Sequence, residues 1–188
     1  VEMRGNLLNG CLEKELAELS KEDAVAFFQN QGIKGTRAEI EAACEPYGYH
    51  PLTLNILAGY ILDNRSNPND VSVARELNIT EDIIQNKHHV LEVAYNSLSP
   101  EKQKLLSKIA CFRSPTSYET LKFITESPLT EGVPFGDDKG KGEGENLDDQ
   151  LKQLETRGLL HWDKDENKYD LHPIVRRYAY ERLTAPDR

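Results

Sequence analysis

With 188 residues and 38% apolar content, the chain is long enough to fill one large or two small hydrophobic cores. Its formal net charge of -9, from 32 acidic against 23 basic residues, excludes a field over the whole molecule that would draw it to nucleic acid or anionic lipid. The sequence shows neither a signal peptide nor an apolar stretch long enough to span a bilayer, and Cys11, Cys44 and Cys111, each among apolar residues, predict buried thiols in a reducing compartment, the cytoplasm.

Val1 to Gly10 has no cap or periodicity and reads as the end of a preceding body. Ser20 with Asp23 predicts a helix start, and Ala24, Phe27 and Phe28 supply its apolar face as far as Gly32. Thr36 with Glu39 repeats that signature ahead of Ile40, Ala43 and Cys44, until Pro46 to Gly48 breaks the run. Pro51 opens a third helix in which Leu52, Leu54, Ile56, Leu57, Ala58, Tyr60 and Ile61 leave little polar surface, as suits a helix packed on several sides. A short helix near Val71 to Leu77 and a start at Thr80 follow. The helical domain is expected to cover residues 11–88, with its border between Asn86 and Leu91.

Beyond that border, Val90, Leu91, Ala94, Tyr95 and Leu98 have helical spacing. Ser99 and Pro100 then give a cap and a first-turn proline to a helix carrying Leu105, Leu106, Ile109 and Ala110. A further helix is expected from Ser117 to Thr125, with Leu121 and Ile124 inward. Residues 127–145, rich in Gly, Pro and charge, read as an exposed insertion. Asn146 with Asp149 caps the next helix, Leu147, Leu151 and Leu154 share its face, and Gly158 ends it. Leu159 to Trp162 and Tyr169 to Leu171 suit two short strands around the polar turn Asp163 to Asn167. Pro173 then opens a helix with Ile174, Val175, Tyr178, Ala179 and Leu183 as its apolar residues. The expected fold is mainly α: a helical bundle domain followed by a winged-helix domain, residues 89–188, with a short β-hairpin.

Chemistry is sparse. A phosphate-binding loop needs Gly, four residues, then Gly, Lys and a hydroxyl residue after a strand. Around Gly140 and Lys141 the first glycine is Phe135, the hydroxyl residue is Gly142, and no strand precedes. Acidic residues scatter over helix surfaces, and His50, His88, His89, His161 and His172 show no metal-ligand spacing, so neither a catalytic residue nor a metal ligand is expected. His172 stands apart because it sits where a strand ends and a helix begins, a corner from which a ring can project and where helix-end amides favour anions. The blander alternative is that it only caps its helix and packs on Tyr169.

Three stretches, in order, resemble the second half of the nucleotide-binding module of STAND-class NTPases, the NB-ARC-like module of disease-resistance and apoptosome proteins. Gly48 to Leu54 is similar to that family's Gly-x-Pro-Leu segment, and Leu91 to Leu98 with the Pro100 to Phe112 helix is similar to the opening of its winged helix. Tyr169 to Arg176 is similar to its Met-His-Asp segment, although Leu171 replaces the methionine and Pro173 the aspartate. The resemblance implies that Pro51 packs near the adenine of a bound nucleotide and that His172 reaches the terminal phosphate of ADP, an off-state latch. ADP or ATP would then be the cofactor of the full-length protein, with none expected for this chain alone. Val1 to Gly10 would be the tail of the nucleotide-binding domain, which is the first implied partner. A downstream sensor domain and like subunits, joined on activation, are the others. The phosphate-binding loop, the acidic metal-binding strand and the arginine sensor do not occur here, so the parent protein would be the ATPase and this chain no enzyme.

Two other classes compete. A DNA-binding winged helix shares the architecture, but its reading helix should be net basic, and the one before the wing carries Asp148, Asp149 and Glu155 against Lys152 and Arg157. A plain protein-interaction module would instead show an exposed apolar patch.

Overall fold

Ser20 and Thr36 start their helices as the spacing predicts. In the computed structural model, which describes residues 18–77, 79–126 and 146–184, Ser20 Oγ accepts from the Asp23 amide at 3.0 Å at the head of α1 (Lys21–Asn30). Thr36 and Glu39 close a reciprocal capping box over α2 (Arg37–Cys44). The expected tail at Val1 to Gly10, the insertion at 127–145 and Gly140 with Lys141 lie outside the described residues. Helix α3 (Pro51–Leu62) buries seven residues, Thr53, Leu54, Ile56, Leu57, Ala58, Gly59 and Ile61, and so is the central helix that its near absence of polar surface predicts. The short helix after it is a 3-10 turn, Val71–Glu76, joined to the α1–α2 connection by the Val71 amide donating to Lys34 O at 2.9 Å.

Helix α4 (Ile83–Asn96) begins later than expected. Asp82 caps it, accepting from the Ile84 amide at 2.8 Å, whereas Thr80 is held by the buried Asn86 side chain. Asn86 Nδ2 also donates to Thr80 O and to Pro46 O, at 2.8 and 3.0 Å, so this amide joins the start of α4 to the turn before α3. The expected border between Asn86 and Leu91 therefore falls inside one unbroken helix. Its first turns pack on α3 and the turn Glu45–Tyr47, while Tyr95 near its end meets Tyr178 edge to face at 5.4 Å.

The rest is α5 (Pro100–Ala110), β1 (Thr116–Ser117), α6 (Tyr118–Glu126), α7 (Leu147–Thr156), β2 (His161–Asp163), β3 (Lys168–Asp170) and α8 (Pro173–Thr184). The sheet has order β1-β3-β2, antiparallel throughout, with Thr116 and Trp162 both opposite Tyr169. The wing is thus three-stranded rather than a lone hairpin. At two residues β1 is too short to show alternation in sequence. Leu159 and Leu160 are buried ahead of β2 instead of belonging to it. Helix α8 packs along α5, where Ser107 Oγ donates to Ala179 O at 3.1 Å. Only Val175 and Ala179 of the expected apolar set are fully inside; Ile174 and Leu183 stay about half exposed, because α8 turns a single narrow stripe towards the core.

Helices α3 and α7 meet closely enough that a Cβ on Gly59 would lie 2.5 Å from the Arg157 backbone, and one on Gly158 2.5 Å from Asn55 Nδ2. Gly158 also has φ of 68°, a left-handed conformation that suits glycine. Arg157 fastens this seam by donating to Asp63 and, at 2.6 Å, to Ser97 Oγ. The expectation for the cysteines holds in one case and fails in another. Cys44 is buried and its thiol pushed up to about 12 by that burial, whereas Cys111 follows the last turn of α5 and is exposed; Cys11 lies outside the described residues. No helix among the described residues is long and apolar enough to cross a membrane.

Candidate functional site

Both helices named by the sequence begin with the same dipeptide, His50-Pro51 at α3 and His172-Pro173 at α8. Proline fixes the first helical φ, and each histidine folds back on its own first turn. His50 Nδ1 lies 3.3 Å from Thr53 Oγ1, and His172 Nδ1 accepts from the Ile174 amide at 3.3 Å. That acceptor role places the ring proton of neutral His172 on Nε2, pointing a donor away from the helix. His172 does cap its helix, as the blander reading has it, yet capping occupies only one ring nitrogen.

The two helix starts converge. His50, Leu52 and Thr53 of α3, Ile84, Lys87 and Leu91 of α4 and Ile174 of α8 line one groove of about 140 Å³. Burial holds His50 below its ordinary value, followed by the positive charge of Lys87 and by His172 itself, while Glu18 opposes them. Burial also lowers His172. Both rings are consequently neutral near pH 7 and become charged only when an anion approaches or the pH falls. Pro51 is exposed beside His50, and the charge of His172 reaches His50, so the two sequence-predicted residues stand on neighbouring helix starts, although neither lines the groove. Within the groove lining Ile84 and Ile174 are 68% and 45% exposed, apolar surface near His50. Sequence reasoning missed His50, Lys87 and Ile84 as parts of this site. The repeated His-Pro pair was a signal, but their convergence depends on how α3, α4 and α8 pack.

Before α3, Gly48 and Tyr49 both take up left-handed φ, 60° and 55°. One departure from the motif noted in the sequence, Pro173, has a structural counterpart. With Pro173 in the aspartate's place, Asp170 is the carboxylate at the strand-to-helix corner. It accepts from the Leu171 amide at 2.9 Å and from Arg176 one turn into α8.

No family model matches this chain, and no curated protein does. Among solved structures it is similar to a signal transduction ATPase with numerous domains (STAND) from Pyrococcus horikoshii, a protein with a tetratricopeptide repeat sensor. Identity is 21% and the TM-score 0.56, over 87% of this chain and 19% of that one. The fold is STAND-like. This chain spans about a fifth of that protein's length, and the ATPase activity and repeat sensor are properties of that protein. On the wing side, α7 presents exposed Asp148 and Asp149, and Asp148 and Glu155 add to the burial that raises Tyr169, an acidic face unsuited to phosphates.

Proposed function

We propose that the chain is the helical and winged-helix portion of a STAND-type signalling protein, closing over ADP or ATP held by a nucleotide-binding domain of the same protein. In this reading Pro51 offers a rigid apolar surface to the adenine, and His172 Nε2 donates to the terminal phosphate of ADP. Residues 11–88 act as the lid and 89–188 as the winged helix, with α4 common to both. The exposed apolar side chains of Ile84 and Ile174 lie against the nucleotide-binding domain in the closed state. Release of the latch frees that surface and permits assembly with like subunits under control of a sensor domain. The observation that supports the reading is that the starts of α3 and α8 lie together, His50 and Ile174 lining one groove and the charge of His172 acting on His50.

The test must separate the latch from the helix cap, because His172→Ala removes both. Asparagine caps helices well, so in His172→Asn the amide oxygen can still accept from Ile174 while the reach to a phosphate is lost. In the full-length protein this variant is expected to release ADP roughly tenfold faster or more, the worth of one hydrogen bond to a charged group. The 188-residue chain should keep its melting temperature. Unchanged ADP release together with a lowered melting temperature would leave the cap as the residue's whole role.

A further inference from the structure

His172 is exposed, and among the described residues the one polar contact of its ring is the 3.3 Å bond from the Ile174 amide to Nδ1. A single bond of that length holds an imidazole loosely, so the direction of Nε2 depends on the peptide from which the ring hangs. That peptide is fixed on both sides. After His172, Pro173 locks the first helical φ, and the His172 carbonyl accepts from the Arg176 amide at 2.9 Å. Before it, the buried Leu171 anchors the two-residue corner between β3 and α8. Asp170 accepts from the Leu171 amide at 2.9 Å, and Arg176 Nη2 reaches back to Asp170 and, at 3.4 Å, to the Leu171 carbonyl. One ion pair therefore holds both the N–H and the C=O of the residue that precedes the histidine. Arginine suits this task because its planar fork keeps a fixed direction, and the Arg176 side chain is only 19% exposed.

We propose that Asp170 and Arg176 are positioning residues for His172: their ion pair clamps the Leu171 peptide so that the imidazole keeps Nε2 directed away from α8. The purpose of that aim rests on the latch reading, whereas the clamp itself does not. The orienting carboxylate stands two residues before the histidine, and the position directly after it belongs to Pro173. Arg177, the next residue, is different. Its side chain is 83% exposed and pairs along α8 with Glu181, away from the corner.

Two measurements test this and separate the clamp from the latch. In the 188-residue chain, NMR couplings about χ1 of His172 should report one rotamer for the wild type and averaged rotamers for Arg176→Gln. Arg177→Gln removes the same charge one residue on and should leave the single rotamer in place. In the full-length protein, Arg176→Gln should speed ADP release by no more than the roughly tenfold expected of His172→Asn, and adding it to His172→Asn should change nothing further. Asp170→Asn keeps an oxygen at the corner and should fall between wild type and Arg176→Gln in both measurements; it serves alone if Arg176→Gln does not fold. A single His172 rotamer in the folded variants overturns the clamp, as does averaging in Arg177→Gln. Additive effects on ADP release overturn it too, since Arg176 would then meet the phosphate itself through Nη1, which is buried with no partner among the described residues. Averaged rotamers with ADP release unchanged in every variant would leave the clamp standing and refute the latch.

Discussion

Gly59→Ala measures how tightly α3 and α7 are joined, because two effects of opposite sign meet there. Alanine is the better helix former by about 1 kcal/mol, so an uncrowded site would gain stability. Here the new Cβ would lie 2.5 Å from the Arg157 Cα and carbonyl carbon and 2.7 Å from its oxygen. Ordinary carbon contacts need about 3.5 to 4 Å, so the helices must part by about 1 Å. The obstacle is backbone, which cannot rotate aside as a side chain can. Overpacking of this kind costs typically 1–3 kcal/mol, and parting the helices also stretches the bonds from Arg157 to Asp63 and Ser97, about 1 kcal/mol each. The net loss is about 2–4 kcal/mol, and for a chain of this size that lowers Tm by about 4–16 °C. Thermal melts followed by circular dichroism at the helix band, with urea unfolding alongside, give the answer. A Tm equal to or above that of the wild type would refute the close seam.

Asn86→Ala removes two donated bonds and leaves the Thr80 amide and Pro46 O without their partner, so urea unfolding should show a loss of about 2–3 kcal/mol. Acidification has a definite sign. His50 and His172 are both lowered from 6.5 in the folded chain, so the unfolded state takes up protons more readily, and stability present above about 6.5 is lost as pH falls through the folded values. Glu39 and Asp70, depressed below 4.5 and 3.8 by hydrogen bonds from Thr36 and Ser72, act in the same direction in a lower window. Melting temperature should therefore fall as pH drops below about 6.5, and His50→Gln should flatten that limb; a wild-type profile level from there down to the carboxylate range would contradict it.

Local chemistry made most of the helices legible. Ser20, Thr36, Asn146 and the prolines at 51, 100 and 173 act through neighbours within four residues, and such signals are written in the sequence itself. The misses share a cause. Thr80 lost the cap of α4 to Asp82 because Asn86, six residues on and braced by Pro46, took hold of it. Strand β1 exists only because Tyr169 lies opposite Thr116, a pairing across more than fifty residues. Cys111 resembles Cys44 in sequence, but it falls just past the end of its helix and faces outward. For the candidate site, Pro51 and His172 were singled out from the sequence, whereas His50, Lys87 and Ile84 join it only through the way α3, α4 and α8 pack.

Helix α4 limits how the protein can be taken apart. Its early turns line the groove beside His50, and its later turns hold Tyr95 against Tyr178 and, through a hydroxyl contact of 3.3 Å, against Ser107. Fourteen residues of helix form a strut of about 21 Å, and each half of the chain uses it as a wall. A truncation between Asn86 and Leu91 would strip apolar cover from both products at once, leaving Val90 and Leu91 of one and Ile56 of the other facing water. The two halves are accordingly expected to unfold together in a single transition, and any relative movement between them would turn at the Ser97 to Ser99 corner, where the helix has already ended.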